Sequence, residues 1–149
     1  MADMRQLSDR YGDTVNLGAW SDGEIVYVEI MEGTYSLRMH ETVGSKVPFH
    51  ATAIGKAIAA TLPEEQVQEL VKNHGLPPLT ERTITDKAVL QRELQNIRQQ
   101  GYALDDEESV LGARCIAAPI FNMFGNVTGA ISLSGAKHRF TEDNLSKMA

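Results

Sequence analysis

The spacing of hydrophobic residues changes period several times along this chain, and each change marks an element. Met4, Leu7 and Tyr11 recur at helical spacing and stop at Gly12, a residue suited to end a helix. Residues 14–20 and 24–31 then read as strands joined at Ser21-Asp22-Gly23. Asp-Gly between β-rich runs is a strong hairpin signal, because both residues accept the positive φ of a tight turn. Ile25, Val26, Tyr27 and Val28 leave few polar positions, so the second strand is expected to be covered on both faces. A third strand is predicted over residues 35–40.

From Thr52 the period becomes helical: Ile54, Ala57, Ile58, Thr61 and Leu62 fall on one stripe. Pro63 opens a second helix, where its missing N–H has no partner to lose; Val67, Leu70 and Val71 form the inner face and Gly75 closes it. An extended loop, Leu76-Pro77-Pro78-Leu79, leads to a helix over residues 86–100, with Leu90, Leu94 and Ile97 inward and Gly101 as its stop. Strands return at 102–106, 114–121 and 127–134, the last two flanking a turn that ends at Gly125. Thr141 caps a final helix, with Glu142 and Asp143 where a helix dipole favours acids. Hairpins with segregated helices indicate an α+β fold with an antiparallel sheet of about six strands and helices packed on it.

Composition narrows the function. The 149 residues suit one domain, and 42% hydrophobic with 23% charged residues is ordinary for a folded chain. No apolar run approaches the roughly 20 residues needed to cross a bilayer, and no signal-peptide pattern opens the chain. One cysteine fits a reducing compartment, so a cytoplasmic location is expected. A net charge of −6 with scattered Lys and Arg argues against this chain gripping a phosphate backbone itself.

The final hairpin carries the most chemical information. Alternation puts Ala113, Cys115 and Ala117 on one face of the first strand, and Ala130, Ser132 and Ser134 on one face of the second. If Phe121 and Asn126 close the turn, Cys115 is expected opposite Ser132 and Ala113 opposite Ser134. That face offers room, two hydroxyls and a thiol, which suits a pocket for a small acid. The same pattern also fits Ser and Ala lying beneath a closely packed helix.

Three other features have a chemical and a plain reading. Cys115 as a nucleophile would need a base, yet His40, His50, His74 and His138 have no diagnostic spacing to it; a lone Cys in an apolar strand is more often a small buried hydrophobe. Asp105-Asp106-Glu107-Glu108 reads as a solvated loop, although strand alternation turns one acid inward, and Asp105 is the choice. With Cys115 and a histidine it could instead ligate zinc, but the spacing matches no zinc motif. Ala53-Ile54-Gly55-Lys56 opens a helix, whose first amides form an anion site or simply an ordinary helix start.

Several stretches together resemble one family. Val47-Pro48-Phe49-His50-Ala51-Thr52-Ala53-Ile54-Gly55-Lys56-Ala57 is similar to the segment opening the central helix in effector domains of IclR-family bacterial regulators. Gly101 to Glu108 resembles a second signature of that family, and Arg114 to Phe121 with Gly125 and Ala130 to Gly135 a third. The resemblance implies a GAF-like fold whose curved sheet forms an effector pocket. It implies polar contacts from Asp105, Cys115, Ser132 and Ser134 and from backbone amides near Ala53 and Ile54, with Met39, Val47 and Ala113 as an apolar wall.

On this reading residues 1–149 are one effector-binding domain, without catalysis, cofactor or bound metal. Its partners are a small carboxylate or aromatic acid and further copies of the chain, as homodimer or homotetramer. Operator DNA would be touched only through an N-terminal winged helix-turn-helix domain that this chain lacks; both ends of the sequence fall within helical patterns, as in an excised piece. Two other readings stay open: a thiol- or zinc-dependent enzyme on the same sheet, and a dimerisation module without a ligand.

Overall fold

A computed structural model describes residues 14–21, 23–31, 43–108 and 113–136. The expected helices at 4–11 and from 141 onward, and the expected strand at 35–40, lie outside the described residues. Within them the order is β1 (Thr14–Ser21), β2 (Glu24–Met31), α1 (Ala53–Thr61), α2 (Glu64–His74), α3 (Lys87–Gln100), β3 (Ala103–Asp106), β4 (Ala113–Phe121) and β5 (Val127–Ala136). The five strands form one antiparallel sheet in the order β2-β1-β5-β4-β3, a mixed α+β architecture.

Short-range chemistry sets most boundaries. Ser21 pairs with Glu24 across the two-residue turn expected at Asp22-Gly23. Thr52 caps α1: its Oγ1 accepts from Gly55 N at 2.9 Å and donates to Pro48 O at 2.7 Å. Asp86 caps α3 through Ala88 N, and Gly101 ends that helix with φ 88°, a conformation that favours a residue without Cβ. Arg98 of α3 donates to the carbonyls of Ala60 and Leu62, so a cation closes the C-terminal end of α1.

The sheet divides the apolar interior in two. Ile25, Tyr27, Ala103, Cys115, Ala117 and Ala130 of the sheet form one cluster with Ile54 and Ile58 of α1 and with Phe49, Leu90 and Leu94. Val15, Ile116 and Leu133 form a second cluster on the other face, joined by Leu17, Tyr102, Leu104 and Ile131. Close approach between layers depends on missing Cβ atoms: one added at Gly18 would stand 2.7 Å from Ile54 Cγ2, and one at Gly55 would stand 2.3 Å from Pro48 O.

Three details depart from the sequence expectations. The stripe on α1 widens to the whole helix, since every residue from Ala53 to Ala60 is buried; helices, sheet and the segment before it surround α1 on all sides. Strand β2 is not covered on both faces, because Val28 is 40% exposed. A register shift after Leu17 of β1 falls at the same place: Glu29 pairs with Leu17 and Tyr27 with Gly18, leaving Val28 without an opposite residue.

The third departure is the register of the last hairpin. Cys115 stands opposite Ser134, not Ser132, and Ala113 opposite Ala136. Phe121 pairs with Val127 and Ile120 with Gly129, so an irregularity beside a longer turn moves the ladder by two residues. Asn122 builds that turn: its N donates to Asn126 O at 2.9 Å, and its Oδ1 accepts from the amides of Phe124 and Asn126. A displacement of two keeps every side chain on its own face. The small-residue face therefore survives the change of partners.

Candidate functional site

Two rows of residues cross the helix-facing side of the sheet. In one, Asp105 of β3 pairs with Cys115 of β4, which pairs with Ser134 of β5. In the next, Ala103 pairs with Ala117, Ala117 with Ser132, and Ser132 with Asn16 of β1. Asp105, Cys115, Ser132 and Asn16 are all buried. Asn16 Nδ2 donates to Ser132 Oγ at 3.3 Å. Small side chains in these rows let α1 lie against the sheet, with Ile54 close to Gly18 of β1. Ala53 and Ile54 supply the first amides of the helix, which have no acceptor within it.

The structure thus brings Asp105, Cys115 and Ser132 to one face, with Ser134 at the matching register position. Ala113 begins β4 at the end of the ladder. Val47 is placed elsewhere: its N donates to Ile25 O at 2.7 Å along the outer side of β2, at the edge of the sheet opposite Asp105. It borders a cavity of about 160 Å³ lined also by Ile25, Phe49, His50, Leu70 and Pro77. Met39 lies outside the described residues.

Charge beneath this face is concentrated in one buried cluster that sequence reasoning missed. Lys56, fully buried, donates from Nζ to Glu108 Oε1 at 2.9 Å and Oε2 at 3.0 Å, and to the carbonyl of Leu104. Glu108 N donates to Asp105 Oδ1 at 2.8 Å, and Asp106 N donates to Glu108 Oε2 at 3.1 Å. Burial raises the Glu108 carboxyl above its ordinary value; Lys56 and the Asp106 amide oppose that rise, and the nearby Asp105 adds to it. The available signal was a lysine inside an otherwise apolar helical run. Its partner, 52 residues away, sat in an acidic run that read as solvated.

The turn after β3 is held from outside as well. Thr80 Oγ1 donates to Glu107 O at 2.6 Å, and Thr83 Oγ1 donates to the carbonyl of Glu108. Arg82 Nη1 reaches Glu107 at 2.8 Å and Asp106 at 3.2 Å, while Arg114 Nε donates to Asp106 at 2.8 Å. These contacts fix Glu107 at φ 60°, an uncommon conformation for a residue with a side chain.

His50 is buried elsewhere, beside the 160 Å³ cavity. Its Nε2 lies 2.9 Å from Pro77 O, so that nitrogen carries the hydrogen, and Nδ1 is left as a buried acceptor with no partner. Burial lowers its pKa from 6.5, against the opposing effect of the Pro77 bond. Among the described residues no three His, Cys, Asp or Glu side chains are grouped to hold a metal ion, and no helix is long and apolar enough to cross a membrane.

Comparison with known proteins now adds to this geometry. The family model described as "Bacterial transcriptional regulator IclR C-terminal" matches residues 2–149. The chain belongs to this family. It is 40% identical over 141 residues to the HTH-type transcriptional regulator KdgR of Dickeya chrysanthemi, covering 95% of this chain and 46% of that protein. The crystal structure of the Thermotoga maritima IclR superposes with a TM-score of 0.93 at 38% identity, covering 98% of this chain and 59% of that one. The inducer-binding domain of the PobR transcription factor from Acinetobacter, solved as a double mutant in complex with 3-hydroxybenzoic acid, superposes with a TM-score of 0.82 at 27% identity, covering 97% and 85%. The chain thus spans about half the length of the full-length relatives it matches.

Proposed function

We propose that this chain is the effector-binding domain of a bacterial transcription regulator, and that it binds a small carboxylic or aromatic acid on the helix-facing side of its sheet. The observation that carries this reading is the pair of rows joining Asp105, Cys115, Ser132 and Ser134 in adjacent strands beneath the start of α1. Hydroxyls and helix-start amides donate, as a carboxylate requires. The inducer-binding domain of PobR, with the same fold, was crystallised with an aromatic acid.

In this reading Ser132, Ser134, Cys115 and the amides of Ala53 and Ile54 hold the acid, and Asp105 faces its far side. Met39 and Ala113 are assigned to the apolar wall, and Val47, at the opposite edge of the sheet, is not part of it. The domain performs no catalytic step and needs no cofactor. Residues 1–149 act as one sensing unit of a cytoplasmic regulator assembled as a homodimer or homotetramer. A net charge of −6 leaves operator contact to a separate DNA-binding domain of the parent protein. The acid shifts the balance of subunit arrangements by its difference in affinity between them. Calorimetric titration of small acids into the chain and into its Ser132→Ala and Ser134→Ala variants tests the assignment: weaker binding by folded variants supports it, and unchanged binding refutes the site.

A further inference from the structure

Half of the large apolar residues that are exposed among the described residues fall in one stretch of five positions. Ile120 and Phe121 end β4 at 38% and 51% exposure, and Met123 and Phe124 lie in the turn before β5 at 89% and 80%. The turn itself asks nothing of these side chains, because Asn122 Oδ1 closes it by accepting from the amides of Phe124 and Asn126. A cavity of about 490 Å³ opens beside this tip. Phe121, Pro119 and Ala118 of β4 line it, together with Ala57, Ala60 and Ile97 of the helices. A cavity of about 150 Å³ already holds a benzene ring, so this recess has room for a phenylalanine side chain and more.

An apolar projection and an apolar recess thus stand side by side, and both are almost free of charge. Arg98 is the one charged residue lining the recess, and it donates to the carbonyls of Ala60 and Leu62. No residue between Arg114 and Lys137 carries a charge, in a chain whose net charge is −6. Two anionic copies can meet at such a surface without like charges being brought together. Nucleic acid finds no cations to pair with there. A two-fold axis matches projection to recess, seating each tip in the other copy. Taking about 200 Å² for each large apolar residue, Ile120, Phe121, Met123 and Phe124 expose roughly 500 Å² per copy. Covering them in both copies hides about 1,000 Å² in all, the size at which specific interfaces begin. We propose that the β4–β5 turn and the recess beside it form an isologous interface between two copies of this chain, with Phe124 of each copy entering the other's recess beside Ala118. This rests on the homo-oligomer of the function proposed above and gives it a surface; it is independent of any bound acid.

Sedimentation velocity of the 149-residue chain, from about 1 to about 300 μM, reads the association. The unsubstituted chain is expected to associate within this range. Phe124→Glu and Ala118→Glu alter the two halves of the contact. Each should weaken association by about tenfold or more, with far-UV circular dichroism unchanged. Val43→Glu puts the same charge on another exposed apolar residue and should leave association intact. If either Phe124→Glu or Ala118→Glu associates like the unsubstituted chain, or if Val43→Glu loses association equally, this surface is overturned and the homo-oligomer stands. A chain that stays monomeric throughout overturns both, and leaves the tip to another occupant such as a further domain of the parent protein.

Discussion

Lys56 and Glu108 meet at 2.9 Å, which ties the fourth residue of α1 to the residue two beyond β3. Lysine is fully buried and the glutamate nearly so. Removing one partner of such a pair leaves an uncompensated buried charge. Lys56→Ala should therefore destabilise the domain by about 3–5 kcal/mol, read as a lower urea midpoint. The double variant Lys56→Met with Glu108→Leu should recover most of the loss. A loss under about 1 kcal/mol for the single variant would show that the pair is effectively solvated.

Gly55 reverses an ordinary rule. In the middle of a helix, Ala is usually more stable than Gly by about 0.5–1 kcal/mol. Here the added Cβ would stand 2.3 Å from Pro48 O and 2.5 Å from Phe49 Cα, both backbone atoms that cannot rotate away. Gly55→Ala is expected to destabilise by about 1–3 kcal/mol and to lower Tm. A stabilised variant would mean that residues 48–49 do not press on α1.

Protonation of His50 should unfold the domain on the acid side. Its neutral form is the folded form, and its folded pKa lies below the ordinary 6.5. Stability from this group is complete above 6.5 and is lost as the pH falls toward the folded pKa, because the unfolded chain takes the proton first. Glu108, raised above 4.5, has the opposite sign: its contribution is present at low pH and lost as the pH rises through its folded pKa. Comparing unfolding free energies of His50→Asn and the unsubstituted chain from pH 7.5 to 5 isolates the histidine. The difference between them should shrink as the pH falls; a constant difference would contradict the assignment.

Local signals carried most of the fold. Asp22-Gly23 marked the first hairpin, Thr52 and Asp86 the starts of α1 and α3, and Gly75 and Gly101 the ends of α2 and α3, because each acts within a few residues. Register in the last hairpin was less legible: it depends on how Asn122 folds the turn and on an irregularity between Ile120 and Phe121. Alternation still placed Cys115, Ala117 and Ser132 on one face, since a shift of two does not alter parity. Lys56 and Glu108 could not be paired from sequence at a separation of 52 residues. Asn16, whose amide reaches Ser132 across 116 residues, was passed over for the same reason.

Thermal unfolding against a set of small carboxylates, run in parallel on the unsubstituted chain and on Ser132→Ala, decides whether an acid binds on the helix-facing side of the sheet. At about 100 times its dissociation constant, a bound acid adds roughly 2.7 kcal/mol, enough to raise Tm by several degrees. Such a rise is expected from at least one acid, and a smaller one in Ser132→Ala at the same concentration. An equal rise in both proteins would place the ligand away from this face, and no rise from any acid would contradict the assignment of an acid sensor.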